Sequence, residues 1–155
     1  MTPKQKLIII LDNVRSMYNV GAIFRLAAGL NVDELYLCGM TATPPRAEIH
    51  KTALGGETKV KWTYFDNTSN AIKQCQDNGY EIVSLEITSD AIPLADFSPG
   101  PKTALIVGHE VDGVDRFALA ESTKHIFIPM HRDVNSLNVS TACAIAVWCI
   151  INKKG

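Results

Sequence analysis

The sequence predicts a single α/β domain built on a mostly parallel six-stranded sheet with helices on both faces. Three observations lead there. Six short apolar runs punctuate the chain, several of them apolar at consecutive positions, as in strands covered on both sides. Helix-patterned segments separate them, and the connections are short. At 155 residues, of which 46% are hydrophobic, the chain can bury a core of one-domain size.

The strand candidates, in order, are Lys6–Leu11, Glu34–Gly39, Val60–Phe65, Glu81–Ile87, Thr103–Gly108 and His125–Pro129. A first helix is expected to be capped by Asn19, with Val20, Phe24, Ala27 and Ala28 on one stripe and a stop at Gly29. A second runs from about Ser69 to Asn78 before Gly79, a third follows Asp115 through Arg116–Glu121, and the last spans about Ser136 to Asn152. That last helix is apolar almost all round, which calls for burial on most sides and points to a subunit interface. Thr41–Lys59 resists assignment: it opens on Pro44-Pro45, closes on Gly55-Gly56 and carries Arg46, His50, Lys51 and Lys59. It reads either as a solvated loop with a short helix or as a mobile basic arm that handles phosphates.

Composition excludes several classes. No cationic segment followed by an apolar stretch marks a secretory leader, and the longest greasy stretch, Val139–Ile151, is too short to cross a bilayer. Cys38, Cys75, Cys143 and Cys149 have neither zinc-site nor redox spacing, so they read as reduced thiols of a cytoplasmic protein. The net charge of −1 gives no hint of nucleic acid, and any anionic partner must meet a local patch. G-x-G-x-x-G, a Gly-Lys-Ser/Thr loop, H-E-x-x-H, a calcium loop and G-x-S-x-G are all missing, so dinucleotide, phosphate-loop, metal and serine-hydrolase chemistry lose their usual signatures.

Three segments exceed scaffold requirements. In the first helix Arg25 stands over Gly21 and Ala22, small residues that admit a ligand or another backbone beside it. Arg15, Tyr18 and Asn19 gather at its start, where N–H groups favour anions. Val107–Asp115 follows an apolar strand directly, where open α/β sheets bind ligands, and Gly108 and Gly113 permit tight turns beside His109 and Glu110. Finally, Ile128–Trp148 leads from a strand end at Pro129 into a helix whose start holds Asn135, Ser136, Asn138 and Ser140, more polar groups than one cap needs.

Taken together, these segments resemble the SpoU (TrmH) family of RNA 2′-O-ribose methyltransferases in the SPOUT superfamily. Asn19 and Arg25 match the family's Asn-to-Arg spacing of six on the first helix; Leu105–Glu110 matches its strand running into Gly-x-Glu. Ile128–Met130 and Ser136–Ser140 match its Ile-Pro-Met and Ser-Leu-Asn-Val-Ser elements. The chain departs from the pattern at Val111 and Arg132, where the family often has glycine.

The resemblance implies a C-terminal deep trefoil knot, a homodimer, S-adenosylmethionine as methyl donor and transfer or ribosomal RNA as substrate, with neither metal nor membrane. It implies a minimal catalytic unit over residues 1–155 without an accessory RNA-binding domain. Arg25, Asn19, Ser136 and Asn138 become the catalytic candidates. The donor is expected at Leu85, Gly108, His109, Glu110, Ile128, Met130, Ser136, Leu137 and Asn138, and RNA at Arg15, Arg25, Arg46, Lys51 and Lys59. A guanidinium keeps its proton, so stabilising a developing alkoxide suits Arg25 better than acting as general base. A catalytically idle RNA-binding module of the same fold and a base-methylating SPOUT enzyme are the competing readings.

Overall fold

A computed structural model describes residues 4–153. Its elements are β1 (Lys6–Asp12), α1 (Met17–Gly29), β2 (Glu34–Cys38), α2 (Ala47–Ala53), β3 (Lys61–Phe65), α3 (Thr68–Asp77) and β4 (Glu81–Leu85), then β5 (Ile92–Pro93), β6 (Lys102–Val107), α4 (Arg116–Glu121), β7 (Lys124–Phe127) and α5 (Val139–Asn152). All strand pairings are parallel, in the order β3-β2-β1-β6-β4-β7-β5.

The sheet therefore has seven strands rather than six. The additional one, β5, is two residues long and ends on proline, so it leaves no alternating pattern to read; it pairs at the sheet edge with Ile126 and Phe127 of β7.

Alternation along the strands builds two cores. Leu7, Ile9, Leu11, Leu35, Leu37, Val83 and Leu105 face α1, α2 and α5, where Ile23, Phe24, Ile49, Ala146 and Val147 meet them. Ile8, Ile10, Tyr36, Cys38, Ile82, Ala104 and Ile106 face α3 and α4 through Ala71, Ile72, Cys75 and Ala118. With both faces covered, the central strands are apolar at most positions, which explains the apolar runs; the buried polar exceptions are Asp12, Ser84 and Thr103.

All four cysteines are free thiols. Burial pushes Cys38, Cys75 and Cys143 up to about 12.

Two helix starts differ from the sequence reading. Ser16, not Asn19, caps α1: its hydroxyl accepts the Asn19 N–H at 3.2 Å, which releases the Asn19 side chain for other work. Likewise α5 starts at Val139 rather than near Ser136, because the Asn138 side chain accepts the N–H groups of Ser140 (2.9 Å) and Thr141 (3.3 Å).

The basic segment docks on α1 instead of projecting as an arm. Gly21 lies against α2 so closely that a methyl there would overlap the Thr52 hydroxyl and the Ile49 carbonyl. Gly56 meets the Phe24 carbonyl and the Arg25 Cα at 2.9 and 3.1 Å in the same sense. The small residues beneath Arg25 thus admit another stretch of backbone. No helix of the described residues is long and apolar enough to cross a membrane.

Candidate functional site

A cavity of about 490 Å³ opens at the carboxyl ends of β4, β6 and β7, within the range of small-molecule sites. Three loops form it: the continuation of β4 from Leu85 to Ile87, the turn Gly108–Gly113, and the passage from Phe127 to α5. Each donor-site residue expected from the sequence lines it, namely Leu85, Gly108, His109, Glu110, Ile128, Met130, Ser136, Leu137 and Asn138. The reading missed Glu86, Ile87 and Phe127. Their signal was position alone, at strand ends that face the switch in strand order.

The central turn is held by its own side chains. His109 and Gly113 exchange two backbone hydrogen bonds, of 3.0 and 2.9 Å. The His109 Nδ1 accepts the N–H groups of Val111 and Asp112, both at 3.0 Å, so the ring's proton sits on Nε2 in this arrangement. Beyond the turn, Glu86 accepts the Val114 N–H at 2.9 Å, and the buried Asp12 accepts the Asp115 N–H at 2.7 Å and the Thr68 hydroxyl at 2.5 Å. The tips of β1, β4 and β6 are in this way tied to one loop.

Asn19 joins the cavity to the first helix. Its amide donates to Glu110 at 3.4 Å and its carbonyl accepts the Asn138 amide at 3.1 Å. Glu110 also accepts the N–H groups of Ser16 (3.0 Å) and Arg15 (3.2 Å). Partial burial pushes the Glu110 carboxyl upward, but the N–H groups of Ser16, Glu110 and Arg15 and the Asn19 amide outweigh it, holding it below the usual range. Glu110 therefore orders the entry to α1, and Asn138 both caps α5 and clasps Asn19.

Arg25 does not line the cavity of its own chain. It is exposed on α1, six residues beyond Asn19, hence about 9 Å along the helix and about 240° around it. Arg15 is exposed beside the cavity loop, whereas Arg46, Lys51 and Lys59 lie on the segment that carries α2. The cavity walls hold two carboxylates, Glu86 and Glu110, and no lysine or arginine, a field that favours a cationic ligand over a polyphosphate. Among the described residues there is no cluster of three His, Cys, Asp or Glu able to hold a metal.

Comparison with known proteins bears on the fold and the family. The SpoU rRNA Methylase family profile matches residues 6–148. The tRNA (guanosine(18)-2'-O)-methyltransferase of Aquifex aeolicus is 28% identical over 148 residues, covering 94% of this chain and 68% of that protein. The 23S rRNA (guanosine-2'-O-)-methyltransferase RlmB of Acinetobacter baylyi is 25% identical over 145 residues, 93% of this chain and 58% of its own. Against several curated relatives the chain spans only about 60% of their length. Among solved structures, the A. aeolicus TrmH/SpoU tRNA modifying enzyme superposes with a TM-score of 0.83 at 27% identity, covering 95% of this chain and 74% of that one. An AdoMet-bound rRNA methyltransferase from Sinorhizobium meliloti shares the fold with a TM-score of 0.88 at 22% identity, over 96% of this chain and 57% of that one. The profile match over nearly the whole chain places it: the chain belongs to the SpoU rRNA methylase family.

Proposed function

We propose that this chain transfers a methyl group from S-adenosylmethionine to a ribose 2′-hydroxyl of transfer or ribosomal RNA, working as a cytoplasmic homodimer. The observation that carries the reading is the Glu110–Asn19–Asn138 chain of hydrogen bonds, which fastens the helix bearing Arg25 to two of the three loops around the cavity. The residues present suit the donor: apolar Leu85, Ile128, Leu137 and Ala142 offer a flat surface to a base, Asn135 and Ser136 offer polar contacts, and Glu86 and Glu110 favour positive charge. When bound, the sulfonium supplies an electrophilic methyl group.

The chain's own part is positioning and charge. Orienting the hydroxyl for in-line attack is worth up to ~7–11 kcal/mol in ideal cases. Arg25 then stabilises the oxygen as its proton passes to solvent water, and its planar fork is suited to holding a neighbouring phosphate. Because Arg25 stands away from its own cavity, it acts on the cavity of the second protomer. Trp148 and Ile145, 57% and 37% exposed and one turn apart on α5, supply the apolar face for that pairing. Ser136 shapes the donor pocket, and Arg15, Arg46, Lys51 and Lys59 meet RNA phosphates. The passage from β7 through the Ser136 loop to α5 is proposed to be the threaded segment of a trefoil knot, a reading supported by its lining the cavity against the β4 and β6 loops.

Incubation with labelled donor and bulk RNA, followed by digestion to nucleosides, tests the reading. Label on ribose is expected; label on a base assigns base methylation, and no transfer assigns an idle binding module.

A further inference from the structure

We propose that a groove at the carboxyl ends of β2 and β3 is a second RNA subsite, in which an unpaired base stacks against Tyr64 and Trp62 while Arg46 holds a phosphate. The inference rests on the reading of the chain as an RNA methyltransferase and extends it from the reacting nucleotide to a neighbour on the same single strand.

The groove has a volume of about 410 Å³ and is walled by Gly39, Thr43, Arg46, Trp62 and Tyr64 among others. Trp62 and Tyr64 are two residues apart on β3, so they share a face; they stand opposite Leu35 and Leu37 of β2. Trp62 packs inward against the core, and Tyr64 remains 43% exposed. The Tyr64 hydroxyl donates to the Gly39 carbonyl at 2.7 Å, which pins the ring across the end of β2. A ring already held loses little freedom when a base covers it.

Arg46 is exposed at the groove wall, and its guanidinium enters no ion pair or side-chain hydrogen bond among the described residues. No carboxylate lines the groove. Aromatic faces with one free cation and no acid match a base with its phosphate, the pairing that single-stranded nucleic acid offers. The cavity at β4, β6 and β7 has the opposite character, two carboxylates and no cation.

Topology places both at the carboxyl-terminal end of the sheet. Every strand is parallel, so the groove over β3 and β2 and the cavity over β6, β4 and β7 open on the same side of the sheet. Between them stands β1, whose following loop carries the exposed Arg15. With strands ~4.8 Å apart, the two sites are about 17 Å from one another. That is the span of about five stacked nucleotides, fewer in an extended strand. The basic steps Arg46 and Arg15 then mark a path for the backbone toward the target ribose.

Fluorescence anisotropy with a short labelled single-stranded RNA, and the same sequence as a blunt duplex, tests the proposal without methyl donor. Tyr64→Ala is expected to weaken strand binding about 5- to 150-fold. Tyr64→Phe, which keeps the ring but loses the hydrogen bond that holds it, is expected to lose clearly less affinity than Tyr64→Ala. Arg46→Ala is expected to lower the slope of log affinity against log salt by about one. Melting temperature and affinity for S-adenosylmethionine, measured on each variant, report whether the fold survives. Parental binding by Tyr64→Ala, an equal loss in Tyr64→Phe, or duplex bound as tightly as strand overturns the subsite. Strand binding that follows this pattern while the parent transfers no methyl group to RNA overturns the functional reading and leaves the subsite standing.

Discussion

Gly108 sets the shape of the cavity, and replacing it with alanine is the most informative single change to the loop. A Cβ at this position would come within 2.3 Å of the Gly113 carbonyl carbon, where 3.4 Å is ordinary contact, a deficit of 1.1 Å. The obstruction is backbone, including the Gly113 carbonyl carbon and the Val114 nitrogen, so no side-chain rotation relieves it. The turn must open by nearly that distance, and opening strains the His109–Gly113 pair and the Val114 N–H bond to Glu86. Overpacking of this kind costs about 1–3 kcal/mol. In a chain of this size each kcal/mol lowers the melting temperature by roughly 2–4 °C, so a fall of about 2–12 °C is expected. Donor affinity should fall at least as far, by about 5- to 150-fold for the same free energy. Calorimetric melts with and without S-adenosylmethionine, and isothermal titration of the donor, measure both. Gly108→Ala protein that melts and binds donor like the parent refutes the reasoning that this turn forms the donor site.

Other outcomes follow from the same geometry. Glu110 has a depressed carboxyl, so its stabilising contribution is present above its ordinary value of 4.5 and is lost as pH falls through the lower folded value. The gap in melting temperature between the parent and Glu110→Gln is therefore expected at neutral pH and should close in acid; a gap that widens in acid contradicts the assignment. Trp148→Glu places a charge on the exposed face of α5 and is expected to yield a folded monomer by light scattering, with methyl transfer lost because Arg25 and the cavity then lie apart; a dimer that persists rules this face out. Gly21→Ala drives a methyl into the Thr52 hydroxyl and the Ile49 carbonyl, and at about 1–3 kcal/mol it should lower the melting temperature by several degrees in a thermal scan.

Much of the scaffold was legible because two-sided burial writes itself as unbroken apolar runs, as in Leu7–Leu11 and Ala104–Val107. What escaped had local causes. Two residues ending in proline, Ile92–Pro93, carry no periodicity. Asn19 and Ser16 are both good caps three residues apart, and the choice of Ser16 reflects the engagement of Asn19 by Glu110 and Asn138, contacts more than ninety residues distant in sequence. Glu81–Ile87 reads as one strand, yet Glu86 turns out of it to take the Val114 N–H, leaving Ile87 on the cavity wall. The cavity-lining positions were legible through their loop motifs, whereas the separation of Arg25 from its own cavity follows from helix geometry that residue spacing alone does not convey.

The most direct test compares donor binding and methyl transfer in Arg25→Ala and Arg25→Lys. With the guanidinium as the group that meets the developing alkoxide, Arg25→Ala is expected to bind S-adenosylmethionine as the parent does and to transfer methyl about 10²- to 10³-fold more slowly. Normal transfer rates in both variants contradict the account.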